Sequence, residues 1–155
     1  MIRRLLRNEK GFTMVEMMVV MVIIAVLVAG GIKFYQGYIE KAKITKAKAQ
    51  ISTMQAALDI YYAENGAYPC GEGLKADMLN AGLVVTGIDE ENEEYAVLEM
   101  SDPWGKSYLY KSTENSFYIR TGWEKKQDQG SATVLYGEGS NGTSKEPVVG
   151  ELHGL

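Results

Sequence analysis

A single carboxylate, Glu16, lies inside the longest apolar segment of the chain, residues 12–32. About 20 apolar residues are enough for a helix to cross a bilayer. A carboxylate at the centre of such a helix costs roughly 2.5–3.5 kcal/mol, and less near the membrane surface. An acid kept at this cost is expected to be functional, and pairing with a cation is the chemistry that it offers.

Charge is distributed unevenly along the chain. Residues 1–11 have a net charge of +3 and the remainder has −7, which together give the formal −4. Positive residues before an apolar helix favour a cytoplasmic N-terminus. The acidic remainder gives no reason to expect nucleic acid, whose phosphates attract clustered Lys and Arg. One basic cluster, Lys41, Lys43, Lys46 and Lys48, fits either a solvated helix face or contact with anionic lipid.

Residue types that could support catalysis are sparse. Cys70 is the only cysteine, which excludes an intramolecular disulfide and a Cys-rich metal site. His153 is the only histidine and lies near the C-terminus, where chains usually fray. The sequence contains no Ser/His/Asp set, zinc-ligand spacing or phosphate-binding loop. We therefore predict that the chain is not an enzyme.

Three kinds of targeting signal fit residues 1–32. An ordinary secretory signal would be cleaved near residues 29–31 (AGG), and a signal anchor would stay uncleaved. Neither of these needs an acid at position 16. The third kind is cleaved before the apolar segment, between Gly11 and Phe12.

Residues 10–20 (KGFTMVEMMVV) favour the third kind, because they resemble the class III signal of type IV prepilins and type II secretion pseudopilins. The resemblance implies that a prepilin peptidase cuts after Gly11 and N-methylates Phe12. It also implies that Glu16 is the assembly residue, which pairs in a filament with the Phe12 amine of a neighbouring subunit. Such pairing offsets the cost of burying each charge alone. The chain would then comprise a leader (1–11), a transmembrane and filament-core helix (12–32), and an amphipathic helix followed by a β-rich globular head (33–155).

Beyond the apolar segment the pattern becomes that of an amphipathic helix. Lys46, Lys48, Gln50 and Gln55 are predicted to lie off its apolar face. The stripe could be a coiled-coil seam or could pack on the protein's own sheet, and fewer than three heptads favour the sheet. The apolar residues recur at spacings of three and four: Ile44, Ala47, Ile51, Met54, Leu58 and Tyr61.

Two features predict where this helix weakens or ends. Asn65 and Gly66 form a stop signal. Most relatives have a proline shortly after the apolar segment, whereas this chain has Lys33 there and no proline before Pro69. Residues 30–31 (GG) could supply the weak point at which the helix melts on assembly, since glycine costs about 1 kcal/mol in a helix.

The C-terminal part is predicted to be rich in strands. A short helix is expected over residues 74–80, and strands over 94–100, 107–112, 116–121 and 132–136. Residues 113–115 suit a hairpin, residues 102–105 (DPWG) suit a type I turn, and the acidic run 89–94 suits a solvated loop. The Gly- and Ser-rich tail from Gly137 onward is expected to be loose. The fold class is therefore α+β, with a long N-terminal helix packed on a small antiparallel sheet.

The head motifs at residues 65–69 (NGAYP) and 102–110 (DPWGKSYLY) resemble the major pseudopilin branch of type II secretion. The resemblance implies a homopolymeric filament that drives protein secretion. The implied partners are prepilin peptidase, an inner-membrane assembly platform and minor pseudopilins. The N-terminus would be cytoplasmic and the head outside the bacterial inner membrane, later in a periplasmic or cell-surface filament. Alternatives are a type IV pilus subunit for adhesion, motility or DNA uptake, or a membrane-anchored ligand-binding head.

The resembled branch usually carries an acidic, glycine-rich calcium loop after the hairpin. Residues 121–128 of this chain contain two lysines and no Asp-Gly ligand run. Glu124, Asp128 and Glu138 are weak candidate ligands, whereas calcium takes six to eight oxygens. No cofactor is therefore expected, and bound calcium is the alternative.

Overall fold

Helix α1 dominates the N-terminal half of the chain. The computed structural model describes residues 11–90, 93–126 and 132–151, and α1 runs from Met14 to Asn65. The chain divides into two compact units between Glu40 and Lys41, so α1 contributes to both. Because the first proline is Pro69, nothing removes a backbone donor from this helix.

The first unit presents an apolar helix surface to its surroundings. Met14, Leu27 and Ile32 are 86%, 68% and 52% exposed. Helix α1 is the one helix in the described part of the chain that is long and apolar enough to cross a membrane. An apolar surface of this length needs lipid or other helices around it.

In the second unit, α1 buries the predicted stripe. Ala47, Ile51, Met54 and Leu58 are at most 1% exposed, which confirms that the stripe packs on the protein's own sheet. The helix ends at the predicted signal. The Gly66 backbone N–H donates to the carbonyl of Tyr62 over 2.7 Å, and Gly66 has a φ of +77°, which favours glycine.

Shorter helices connect α1 to the sheet. A 3₁₀ turn at Gly71–Gly73 leads into helix α2, which spans Leu74–Asn80 as predicted. Met78 of α2 is buried in the core of the second unit.

One antiparallel sheet completes the second unit. Five strands lie side by side in the order β1, β2, β3, β4 and β6, while β5, β7 and β8 each pair with β6. The predicted strands are present within a few residues of their expected bounds. The strands are Val85–Ile88 (β1), Ala96–Ser101 (β2), Ser107–Ser112 (β3), Ser116–Arg120 (β4), Lys125–Lys126 (β5), Ala132–Ser140 (β6), Thr143–Ser144 (β7) and Val148–Glu151 (β8).

The core lies between the second part of α1 and one face of this sheet. Leu98, Tyr108, Tyr110 and Ile119 point from alternate strand positions into the same cluster as Leu58. The predicted turn at residues 102–105 is also present, since the Gly105 N–H donates to the carbonyl of Asp102 over 3.0 Å. These features confirm the predicted α+β fold.

The predicted loose tail is wrong. From Gly137 onward the chain forms the second half of β6, then β7 and β8. A Cβ atom on Gly137 would lie 2.5 Å from Cγ2 of Ile51, so this glycine permits close helix–sheet contact. Asn141 and Gly142, with φ values of 50° and 75°, form a tight turn where Ser140 faces Thr143.

The predicted position of Gln55 is also wrong. Its side chain is 3% exposed, and Nε2 donates to the carbonyls of Glu138 (3.1 Å) and Lys145 (2.9 Å). The neighbouring Gln50 accepts a hydrogen bond from the Tyr108 hydroxyl over 2.9 Å. Polar residues beside the apolar stripe therefore hold the sheet to α1.

Candidate functional site

The start of α1 is the first candidate site. Gly11, Phe12 and Thr13 precede the helix without regular secondary structure. No atom lies within 4 Å of a Cβ built on Gly11, and Phe12 is 79% exposed. Among the described residues, nothing therefore blocks the access of an enzyme to the Gly11–Phe12 bond.

Glu16 closes a reciprocal capping arrangement at this helix start. The Thr13 N–H donates to Oε2 of Glu16 over 2.8 Å, and the Thr13 hydroxyl donates to the same oxygen over 3.0 Å. In return, the Glu16 N–H donates to the Thr13 hydroxyl oxygen over 3.2 Å. This is a capping box, in which the N-cap residue and the residue three positions later satisfy each other's backbone N–H groups. The spacing Thr13-x-x-Glu16 is its signal in the sequence, and the sequence-based predictions did not include it.

The predicted weak point of the helix is continuous in the structure. Gly30 and Gly31 lie within α1, and no atom lies within 4 Å of a Cβ built on either residue. Packing among the described residues of the subunit therefore does not require glycine at either position. Melting at this point on assembly stays a prediction.

Two of the three candidate calcium ligands are paired with basic side chains. Oε1 of Glu124 pairs with Nη1 of Arg120 over 2.7 Å, and Oε1 of Glu138 pairs with Nζ of Lys145 over 2.6 Å. Asp128 lies outside the described residues. Over residues 11–90, 93–126 and 132–151, no three His, Cys, Asp or Glu side chains are grouped so that they could hold a metal.

The other polar features singled out in the sequence form no compact site among the residues described. The thiol of Cys70 is free and half-buried. In the acidic run, the Asp89 N–H donates to the carbonyl of Tyr95 over 2.8 Å, and Glu94 pairs with Lys111 over 2.6 Å. Residues 91–92 of this run and His153 lie outside the described residues. Lys41 and Lys46 are exposed, while Lys43 and Lys48 are half-buried.

Two known protein-family models match the sequence of this chain. A family model described as "Type II secretion system (T2SS), protein G" matches residues 35–133, and a "Prokaryotic N-terminal methylation motif" matches residues 6–32. The chain belongs to the type II secretion protein G family. This family consists of structural pseudopilins and is not an enzyme family. Because the matched family model belongs to type II secretion, the resemblance to the secretion branch is confirmed.

Individual relatives of this family member cover most of both chains. Type II secretion system core protein G of Pseudomonas aeruginosa is 35% identical over 105 residues, which are 67% of this chain and 74% of the relative. The protein of the same description from Escherichia coli (strain K12) is 35% identical over 103 residues, 66% of this chain and 71% of the relative. That of Vibrio cholerae is 34% identical over 113 residues, 69% and 73% of the two chains. No solved structure matches the chain significantly.

Proposed function

We propose that this pseudopilin is cut between Gly11 and Phe12 by a prepilin peptidase, is N-methylated at Phe12, and polymerises into a helical pseudopilus that drives type II protein secretion. The observation that carries the proposal is the start of α1. An exposed, open junction is followed directly by a capped carboxylate and an exposed apolar helix. The methylation motif matched at residues 6–32 covers all three features.

The apolar part of α1 crosses the inner membrane before assembly. The +3 charge of residues 1–11 favours a cytoplasmic N-terminus, which places the head outside. Phe34, Tyr35 and Tyr38 are 75%, 67% and 70% exposed just beyond the apolar segment. Aromatic side chains at this position are typical of a membrane–water interface.

The capping box leaves Glu16 able to bind a second subunit. Both hydrogen bonds from Thr13 end on Oε2, and no donor within the described residues bonds to Oε1. Cleavage after Gly11 leaves the Thr13 amide intact, so the cap survives processing. A neighbour's Phe12 amine can therefore reach Oε1 while the helix start stays capped. In an apolar bundle of helices, this pairing offsets the desolvation of both charges.

Assembly then proceeds by repeated contacts between identical subunits. The partners of this proposal are further copies of the chain, a prepilin peptidase, an inner-membrane assembly platform and minor pseudopilins. Membership of the protein G family supports this set, because the family takes its name from the secretion system.

Two substitutions separate charge pairing from helix capping. Glu16→Ala removes both, while Glu16→Gln keeps an oxygen that can cap the helix but removes the charge. If the neighbour's amine needs the carboxylate, both variants should lose filaments. Removing one member of a buried charge pair costs roughly 3–5 kcal/mol. Filaments are measured by shearing and electron microscopy, with secretion of an exoprotein as a second readout.

Membrane fractionation is the control for both variants. Each should still insert, since removing a buried charge makes insertion easier. Normal filaments from Glu16→Gln would show that capping, rather than charge pairing, is what assembly requires. Loss of insertion in either variant would contradict the proposed role of the carboxylate.

A further inference from the structure

The segment that follows β4, residues 121–124, is held by a buried carboxylate from a distant turn. Asp102 is 4% exposed. Its Oδ1 accepts hydrogen bonds from the N–H groups of Trp104 (3.0 Å) and Lys106 (2.9 Å), and its Oδ2 accepts one from the N–H of Trp123 (3.1 Å). One side chain thus closes its own turn and fixes a loop 21 residues further along the chain. Hydrogen bonds to a charged acceptor are stronger than neutral ones.

Stacked indole rings reinforce the same connection. The rings of Trp104 and Trp123 lie parallel within 9°, with their centroids 4.4 Å apart. Both side chains are half-buried, and Trp104 packs against the core of the second unit. The Asp102 carboxylate therefore fixes the backbones of two residues whose side chains stack on each other.

The start of the segment is anchored to the sheet. Thr121 is fully buried, and its N–H donates to the carbonyl of Leu135 over 2.9 Å. Its hydroxyl donates to the carbonyl of Trp123 over 3.1 Å. A Cβ on Gly122 would clash with the carbonyl oxygen of Ser107, so the backbone passes directly over the start of β3.

The carboxylates here are already committed to protein groups. Asp102 accepts three N–H bonds, and Glu124 pairs with Arg120. Calcium needs six to eight oxygen ligands, so these carboxylates do not fit the metal that the resembled branch binds after its hairpin. We propose that Asp102 is the positioning residue of this loop. Through its bond to Trp123, the Asp102 carboxylate holds residues 121–124 in place, so that the head folds and keeps its shape without calcium.

The two tryptophans make the proposal directly measurable, because they are the only ones in the chain. Tryptophan emission and near-UV circular dichroism of full-length protein in detergent therefore report on the stacked pair. After treatment with EDTA, added calcium should leave both signals unchanged and shift the Tm by less than about 1 °C. A stabilising calcium site, at a free calcium concentration 100 times its Kd, would instead raise the Tm by roughly 10 °C. A calcium-dependent rise in Tm would overturn the proposal.

Asp102→Asn tests the positioning role. Replacing the carboxylate turns one acceptor oxygen into a donor that faces the N–H groups. We expect a changed tryptophan signal and a Tm lower by about 5–15 °C, neither of which calcium restores. Glu114→Gln, at the exposed hairpin turn, removes one negative charge and should change neither signal. An unchanged tryptophan signal in Asp102→Asn would contradict the positioning role.

A third variant keeps the test decisive if Asp102→Asn fails to fold. Trp123→Phe retains the backbone N–H that Asp102 binds but removes the indole stack. It should stay folded, lose the coupled near-UV signal and remain insensitive to calcium. A gain of Tm on adding calcium to this variant would show that a metal site exists in the loop.

Discussion

Gly137 permits the contact between β6 and α1, and Gly137→Ala tests whether the C-terminal strands belong to the core. The added Cβ would lie 2.5 Å from Cγ2 of Ile51 and 2.8 Å from Nε2 of Gln55. Both neighbours sit on a helix that is fixed by its other core contacts, so strand and helix must move apart. That movement also weakens the bonds from Gln55 to the carbonyls of Glu138 and Lys145.

The expected loss of stability follows from these two effects. Overpacking a core costs about 1–3 kcal/mol, and each weakened hydrogen bond adds about 0.5–1.5 kcal/mol. A total of roughly 2–6 kcal/mol lowers the Tm by about 8–24 °C for a domain of ~100 residues. The measurement is thermal unfolding of a soluble fragment that begins near Lys33.

Gly87→Ala is the matched control for this substitution. Gly87 lies in strand β1, and no atom lies within 4 Å of a Cβ built on it. The control should keep the Tm of the parent or raise it by no more than about 4 °C, since a strain-free Gly→Ala change restricts only the unfolded chain. Equal Tm values for Gly137→Ala and the parent would refute the close approach of β6 to α1, and with it the placement of the C-terminal strands.

Two further predictions concern the same core. Leu58 is fully buried, so Leu58→Asp should unfold the soluble fragment, because an unpaired buried charge costs several kcal/mol; a retained Tm would mean that the stripe faces solvent or a partner. Burial, followed by the hydrogen bond to Asp59, raises the pKa of Tyr68 from 10.0 to about 12. The stability that this shift contributes is fully present below pH 10 and is lost as the pH rises through about 12. Alkaline unfolding curves should therefore show a smaller pH dependence for Tyr68→Phe, and an unchanged dependence would contradict the assigned shift.

Elements whose signals are local could be predicted from the sequence. The stripe from Ala47 to Leu58 has the helical period, and the asparagine–glycine pair at residues 65–66 supplies a left-handed stop. Strands β3 and β4 are rich in aromatic and branched residues and are joined by a short polar turn, which is the usual hairpin pattern. In each case the deciding interactions join residues close in sequence or follow one period.

Elements decided by distant contacts could not be predicted. Strand β1 has only four residues, one of them glycine, and gains its pairing from β2. Glycines in a tail usually indicate flexibility. At Gly137 and Gly139, however, the side chains of Ile51 and Phe117 occupy the space that a Cβ atom would need. The period of the stripe places Gln55 off the buried face. The side chain is buried nonetheless, because it donates to carbonyls that lie 83 and 90 residues away and that the helical period does not reveal.

The candidate site divides in the same way. Gly11, Phe12 and Glu16 are identifiable from a short motif and one intramembrane charge, and their roles stay predictions. The structure adds the partner of Glu16, Thr13, whose hydroxyl and amide complete the cap. The role of Asp102 is beyond sequence reasoning, since its contact with Trp123 crosses 21 residues.

Intact-mass and N-terminal analysis of the native protein tests the central claim most directly. A pseudopilin processed as proposed begins at N-methylated Phe12, and Gly11→Val, which places a bulky side chain beside the severed bond, should keep its leader. A terminus at Ile32 would show cleavage of an ordinary signal peptide. A chain that retains Met1 would show an uncleaved anchor, and either result would contradict the account.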